Sequence, residues 1–451
     1  MKFVILSLAV SVCCGCTFTP DRAFPAYPLP WQSAAEAEQN EVTVNVDKHW
    51  WQQFSSAELN ELMNRLDEQN LDLSTARLRL EQAQLQLRVA QADNLPSLSG
   101  RVAANGTHNP DTGDSQTGSS AALSGGYEVD VWGSRAAQIL AGKLDISSAT
   151  QSLRNQSVII QRLLANAYFA QLSLGQRQSI ARQNLVASEQ LLELIQLQYD
   201  AGIASGIELA QQRNTLLAAQ TELLRLNNEI KLNQRVLSAL LADSELKPLS
   251  VAAKLDTISL PVIDLALPAA VLRQRPDVEM AFIQLQQADI AVYQASIAGL
   301  PGLNLSASLS LSDLTDLAEG WSLGAALSSA ATLFDAGKRR RLEDIAQTNV
   351  DIALNNLKSV VISASQELLD SLDTYAYQQQ AYTIDIIELA NNQRLYELSQ
   401  ARYKAGDTDF LTLLNAQRSW FNAQLNLINS YESALNAAAQ VYLAARGEPL
   451  V

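Results

Sequence analysis

The chain has 451 residues, 47% of them hydrophobic and 18% charged, a composition too apolar and too weakly charged for a disordered polymer. Its formal charge of −15 sets a polyanion against any phosphate backbone, a poor match for nucleic acid, and no such partner is expected. His49 and His108 lie far apart with no cysteine beside either, and all three cysteines fall at positions 13, 14 and 16, which excludes a zinc-ligand spacing, a disulfide framework and a Cys–His nucleophile pair in the body of the chain.

The N-terminus reads as a targeting segment. Lys2 supplies a positive start, and residues 3–12 form an apolar stretch too short to span a bilayer. Cys13-Cys14-Gly15-Cys16 follows. A small residue just before a cysteine at the end of such a stretch resembles a bacterial lipobox. That makes 1–15 a signal peptide and Cys16 the expected lipid anchor, carrying palmitate or a similar acyl chain. Thr17, where lipoproteins kept at the inner membrane carry Asp, directs the expectation to the outer membrane. Beyond residue 16 no run of 18 apolar residues occurs, so no transmembrane helix is expected.

The chain repeats itself. The segment 76–83 (ARLRLEQA) aligns with 281–288 (AFIQLQQA), Leu95-Pro96 with Leu300-Pro301, and Tyr199-Asp200-Ala201-Gly202 with Tyr403-Lys404-Ala405-Gly406. The expected divisions are an N-terminal segment 16–55, a first repeat 56–242, a linker 243–267, a second repeat 268–446 and a tail 447–451. Each repeat orders its elements alike: a helix (56–93 or 269–297), two strands, a very long helix, a tight turn and a returning helix. The prolines at 96 and 301 end the first helices by disfavouring helical geometry in the residue before them.

The strands carry the cleanest signal. Leu303, Leu305, Ala307, Leu309 and Leu311 alternate with Asn304, Ser306, Ser308, Ser310 and Ser312, and Trp321, Leu323, Ala325 and Leu327 alternate with Ser322, Gly324, Ala326 and Ser328. In the first repeat Ala121, Leu123, Gly125, Tyr127 and Val129 alternate with smaller or polar residues, as Leu98, Gly100, Val102 and Ala104 do more weakly. Loops at 106–118 and 312–320 make hairpins of them. Each strand has the length a tilted membrane strand needs. Four strands cannot close alone and no edge is tolerated in lipid, so several chains must share one barrel.

Residues 135–200 and 339–404 contain no proline, and at 1.5 Å per residue each makes a helix of ~100 Å. Leu354, Val361, Leu368, Tyr375, Tyr382, Leu389, Tyr396 and Tyr403 recur every seven residues, as do Leu413, Trp420, Leu427, Ala434 and Val441 on the returning helix. Strict sevens specify left-handed supercoiling of packed helices. Gln156, Gln161 and Asn166 give the polar face an uncharged character suited to lining water.

The ordered set Trp50-Trp51-Gln52-Gln53-Phe54, Asn70-Leu71-Asp72-Leu73, residues 127–133 (YEVDVWG), 272–278 (LRQRPDV), 333–339 (LFDAGKR) and 402–406 (RYKAG) resembles the TolC-type outer-membrane efflux factors, in particular the lipidated NodT-like branch that serves multidrug pumps. The resemblance covers the whole mature chain. It implies a mixed α and β membrane protein: a homotrimeric outer-membrane β-barrel of twelve strands, four per chain, continued by a long α-helical coiled-coil barrel in the periplasm. The N-terminal segment, the linker (with Pro248, Pro261 and Pro268) and the tail would form a belt around it. The implied partners are outer-membrane lipid, a periplasmic adaptor (membrane fusion) protein and an inner-membrane pump of the RND or major-facilitator type. No cofactor is expected beyond the covalent lipid on Cys16.

Gly133 and Gly337 suit the passage from strand to helix, and Gly202 and Gly406 suit left-handed helix caps. Ser205 and Asp409 can cap the returning helices, and Asp72 and Asp277 stand at helix starts. The resemblance further implies that the hairpin tips, with Tyr199, Ala201, Gly202, Ser205, Tyr403, Ala405 and Gly406, meet the adaptor. It also implies a periplasmic aperture at the start of the last helix. Leu411 matches the family's leucine there, but Asn415 replaces its aspartate, and Asp407 and Asp409 are the candidates for an acidic ring. Solvated turn carboxylates are the alternative reading of those two residues.

No nucleophile elbow, phosphate-binding loop or zinc-protease motif occurs, so no enzyme activity is expected. The expected function is a passive conduit exporting drugs and other small toxic compounds. A periplasmic coiled-coil scaffold lipoprotein and an exit duct for type I protein secretion are the alternatives.

Overall fold

A computed structural model describes residues 49–111, 113–243, 254–263, 270–312, 314 and 320–445. The signal peptide, Cys16, most of the N-terminal segment, Pro248, Pro268 and the tail 447–451 lie outside the described residues. The elements in chain order are α1 (Ala57–Gln69), α2 (Leu71–Ala92), β1 (Ser97–His108), β2 (Ser115–Val129), α3 (Ser134–Asp200), α4 (Gly206–Leu240), α5 (Ala270–Arg273), α6 (Pro276–Ile297), β3 (Gly302–Leu311), β4 (Trp321–Ala330), α7 (Lys338–Ala405) and α8 (Phe410–Ala445). Two compact units result. One comprises Arg77–Ser152 and Glu279–Val360, the other the described parts of 28–76, Leu153–Val278 and 361–451, so each unit draws on both halves of the duplicated sequence.

The first unit holds a four-stranded antiparallel sheet in the order β1-β2-β3-β4. Its register sets like against like. Leu98 faces Gly125, Gly125 faces Ala307 and Ala307 faces Ala325, while Leu123, Leu309 and Leu323 form the next apolar row. The offset rows pair Ser99 with Ser124, Ser124 with Ser308 and Ser308 with Gly324. Because successive side chains point to opposite faces, one face is apolar and the other small and hydroxylated. The first hairpin is longer than the sequence suggests: pairing runs on to His108 opposite Ser115, where the imidazole and hydroxyl lie 2.9 Å apart, rather than opening into a loop from 106 to 118. Polar Asn105 and Thr107 continue the ladder without the apolar alternation that marks the other strands.

Strands pass to helices at two equivalent turns in this unit. Gly133 (φ +72°) and Gly337 (φ +84°) adopt left-handed backbone at the passage from strand to helix, a conformation open to glycine at little cost. Beyond them, Arg135 donates to the Asp93 carbonyl just past α2 and pairs with Glu128 at 2.7 Å. Arg339 donates to the Gly299 carbonyl just past α6 at 3.1 Å and pairs with Asp335 at 2.9 Å. Each arginine therefore satisfies a carbonyl at the end of the short helix of its own repeat.

The second unit has an aromatic core. Trp50, Phe54, Tyr168 and Phe169 are fully buried, Phe54 and Phe169 having ring centroids 5.0 Å apart and Trp50 stacking on Tyr442 at 6.1 Å. A buried aromatic or aliphatic side chain of this size contributes about 1.5–3 kcal/mol. Described linker residues dock here: the Tyr375 hydroxyl donates to the Pro261 carbonyl at 2.5 Å, Tyr431 to that of Ile258, and the Ser259 N–H to that of Phe54 at 3.1 Å.

The expected single helix 56–93 is broken at Asn70. The Asn70 Oδ1 accepts the N–H groups of Asp72 and Leu73, each at 3.0 Å, and its Nδ2 donates to Leu240 at 2.8 Å. Asn70 thus caps α2 and closes α1 at once, and Asp72 is a first-turn acid rather than the cap. The expected helix 269–297 likewise divides at residues 274–275, because Pro276 takes the first position of α6, where its missing N–H costs nothing. Arg275 just before it is buried. It reaches Asp277 at 2.9 Å, Glu367 at 2.6 Å and the Ala444 carbonyl at 2.9 Å.

Candidate functional site

Two sets of residues present surfaces with functional consequences, one in each unit. In the first, the apolar face of the sheet is bare. Val102, Leu305, Leu323 and Leu327 are 74%, 49%, 82% and 66% exposed. A soluble protein rarely leaves so many large apolar side chains on one sheet face. The outer edges, β1 and β4, have a partner on one side only among the described residues. Leu311 departs from the expected row of exposed odd-numbered residues. It is buried close to Gly320, where an added Cβ would lie 3.8 Å from it.

In the second unit, the α3–α4 and α7–α8 hairpins end in matching turns. Gly202 (φ +73°) and Gly406 (φ +80°) carry the left-handed caps. The Ile203 N–H bonds the Gln198 carbonyl at 2.8 Å, and the Asp407 N–H bonds that of Arg402 at 2.9 Å, the six-residue return of a helix C-terminus. Ser205 begins α4 with a capping box: its hydroxyl accepts from the Glu208 N–H at 3.3 Å, while the Glu208 carboxylate accepts from the Ser205 N–H at 2.6 Å. Asp409 holds the equivalent place before α8 and accepts from the Thr412 N–H at 2.8 Å. Those hydrogen bonds from Thr412 hold the Asp409 carboxyl below its ordinary range, so it is a charged cap at neutral pH.

The two hairpin ends pack on each other. Ile195, Leu209, Phe410 and Leu414 form a buried cluster, joined by Leu191, Leu192, Ala204 and Tyr403. The Tyr403 hydroxyl donates to Gln198 Oε1 at 2.9 Å. Tyr403 is thus half-buried between the hairpins, as the heptad spacing of its helix leads one to expect, and lies less open than the other tip residues. Tyr199, Ala201, Gly202, Ser205, Ala405 and Gly406 are exposed. So are Asp407, Asp409, Leu411 and Asn415, the four residues expected at the aperture. Leu411 is 49% exposed although its neighbours Phe410, Leu413 and Leu414 are buried. Higher in the hairpins, Arg418 donates to Thr215 at 3.0 Å and Tyr396 stacks on Trp420 with centroids 4.9 Å apart. Sequence reading missed the Gln198–Tyr403 and Arg418–Thr215 contacts. Only the recurrence of both turns at one offset signalled that the two tips would meet.

Comparison with known proteins bears on both surfaces. The family model described as outer membrane efflux protein matches residues 62–243 and 267–445. The pyoverdine export outer membrane protein OpmQ of Pseudomonas aeruginosa PAO1 is 30% identical, over 96% of this chain and 94% of that protein. The solvent efflux pump outer membrane protein SrpC of Pseudomonas putida is 28% identical, over 99% and 98%. Among solved structures, the outer membrane channel CmeC of Campylobacter jejuni shares the fold with a TM-score of 0.84 at 21% identity, covering 96% of this chain and 95% of that one. With the family model spanning most of both halves of the chain, the protein belongs to the outer membrane efflux protein family and is an outer-membrane efflux channel.

Proposed function

We propose that three copies of the chain assemble one passive conduit through which a pump expels small organic compounds. The observation that carries this is the sheet: a bare apolar face, a serine-lined opposite face and two outer edges. In lipid those edges must be paired, and β1 of one copy against β4 of the next closes a barrel of twelve strands with the serine face toward water. The relatives named for pyoverdine export and for solvent efflux favour small molecules over secreted proteins as cargo.

The periplasmic end has its own chemistry in this reading. Three copies of Asp407 and Asp409 ring one opening with carboxylates that attract cations, and Leu411 forms an apolar constriction beside them. Asn415 keeps that ring less charged than an aspartate would. The exposed tip residues Tyr199, Ala201, Gly202, Ser205, Ala405 and Gly406 offer the surface for a periplasmic adaptor, itself coupled to an inner-membrane pump of the RND or major-facilitator type. Tyr403 supports that surface from beneath. Cys16, acylated, tethers the N-terminus to the outer membrane. No step requires a cofactor or catalysis.

Extraction and electrophoresis test the assembly. A shared barrel requires detergent for release and runs as a heat-modifiable trimer. Release of soluble chain after removal of the lipid anchor would identify a tethered scaffold instead.

A further inference from the structure

The only adjacent cations in the sequence are Lys338-Arg339-Arg340-Arg341, in a chain of formal charge −15. They open α7, directly after the strand-to-helix turn. Two of the four are neutralised locally: Arg339 pairs with Asp335 at 2.9 Å and Arg341 with Asp344 at 3.0 Å. Lys338 and Arg340 are exposed and form no ion pair among the described residues, and with Glu343 also nearby the segment 335–344 keeps a net charge of +1. Immediately before the turn stand Leu333 and Phe334, 94% and 86% exposed. The turn that presents them is fastened. The Asp335 carboxylate accepts from the Gly337 N–H at 3.0 Å and the Arg339 N–H at 3.1 Å. Ala336 (φ +54°) and Gly337 (φ +84°) are both left-handed. An alanine held there is strained backbone that the surrounding bonds maintain.

The arrangement is therefore a rigid turn with a large apolar pair on one side and two free cations within a helical turn on the other. We infer that residues 333–340 bind an anionic phospholipid at the helix-side rim of the barrel, Leu333 and Phe334 entering the acyl region while Lys338 and Arg340 hold the headgroup phosphate. The inference rests on the outer-membrane channel reading. Two observations favour lipid as the occupant. Leu333 and Phe334 follow β4 by only three and four residues and are as exposed as Leu323 and Leu327 on that strand, so the bare apolar surface of the sheet does not stop at the strand's end. Charge complementarity then selects an anionic headgroup over a zwitterionic one, since each cation near a membrane surface favours anionic lipid about fivefold, equivalent to about 1 kcal/mol.

Lipid competition on the purified full chain, using spin-labelled phosphatidylglycerol and phosphatidylcholine in reconstituted vesicles, tests this. Wild type should prefer phosphatidylglycerol several-fold. The double variant Lys338→Ala/Arg340→Ala should bind both lipids equally. Phe334→Ala should weaken both lipids alike, and inorganic phosphate should not displace phosphatidylglycerol. Equal binding by wild type, a preference surviving in the double variant, or displacement by phosphate alone would overturn the lipid site. Loss of trimer on Phe334→Ala with lipid binding unchanged would overturn it too, by assigning the patch to contact between copies. Failure of wild type to insert into either vesicle is a separate result: it refutes the channel reading, and the lipid site with it.

Discussion

The Tyr403 hydroxyl, near the end of one long helix, donates to Gln198 Oε1 near the end of the other at 2.9 Å, and the Tyr403 ring packs against the buried cluster of Ile195, Leu209, Phe410 and Leu414. The bond ties two hairpins that lie half the sequence apart. Burial, and then the charge of Glu208, pushes the Tyr403 phenol above its ordinary value, so it remains a neutral donor through the physiological range. Tyr403→Phe should remove one hydrogen bond worth about 1 kcal/mol and keep the packing. The expected outcome is a hairpin tip that proteases cleave faster, with the assembled trimer intact.

The aperture assignment separates charge from capping. Asn is as good a helix cap as Asp, so Asp409→Asn keeps the bond to Thr412 while deleting the charge. The double variant Asp407→Asn/Asp409→Asn should lower cation preference and alter block by divalent cations. Leu411→Ser should raise conductance. Wild-type selectivity in the double variant would reduce both aspartates to turn chemistry.

The sheet predicts a face-dependent cost. Ala307 lies on the apolar face between Gly125 and Ala325, and Ser306 and Ser308 lie on the other. Ala307→Arg should cost about 2–4 kcal/mol near the bilayer midplane, and Arg at Ser306 or Ser308 much less. Unfolding of the reconstituted protein in denaturant measures the difference, and equal costs on both faces would reject the barrel.

Tyr168 gives the second unit an alkaline limit. Desolvation, opposed by the Ser56 hydrogen bond and aided by Glu58, raises its phenol from 10.0 to about 12. Between those values the unfolded chain ionises Tyr168 and the folded chain does not. Its contribution to stability is complete below pH 10 and falls as pH rises toward about 12. Tyr168→Phe should flatten that part of the stability profile, as read by circular dichroism in alkali.

Arg275 is the buried charge whose loss should matter most. Desolvation disfavours its guanidinium, yet Asp277 and then Glu367 outweigh that and leave it more basic than usual. Removing one partner of a buried pair costs about 3–5 kcal/mol, and the partial exposure of both carboxylates reduces this to about 2–3 kcal/mol for Arg275→Met. Arg275→Lys should recover little, because an ammonium cannot reach Asp277, Glu367 and the Ala444 carbonyl together.

Much of this was legible in the residues themselves. The alternation of Leu303 to Leu311, the heptads through Leu413 and Trp420, and the glycines at 133, 202, 337 and 406 are local signals with one period or one backbone demand each. Asn70 was less legible, because a cap inside a helical pattern looks like any polar residue until its partner Leu240 is seen. The Arg275–Glu367 pair and the two carbonyl clamps of Arg135 and Arg339 join positions far apart in sequence, where no periodicity reports them. At the hairpin tips the sequence supplied the candidates Asp407, Asp409, Leu411, Asn415 and Tyr403, and the fold added Gln198 as the partner that Tyr403 bonds across the tips.

The anchor has a direct chemical test. Cys16→Ser should abolish fatty-acid labelling, while the barrel still inserts, since four strands per chain bury far more apolar surface than one acyl group. Labelling that persists in the variant would move the anchor to Cys13 or Cys14.

Single-channel recording of the purified protein in a planar bilayer addresses the central claim most directly. A shared barrel narrowed by the ring of Asp407, Asp409 and Leu411 should give discrete, small, cation-preferring steps that grow larger in Leu411→Ser. A protein that inserts no conducting unit, or whose steps ignore substitution of all three residues, would contradict the assignment of this chain as a gated export conduit.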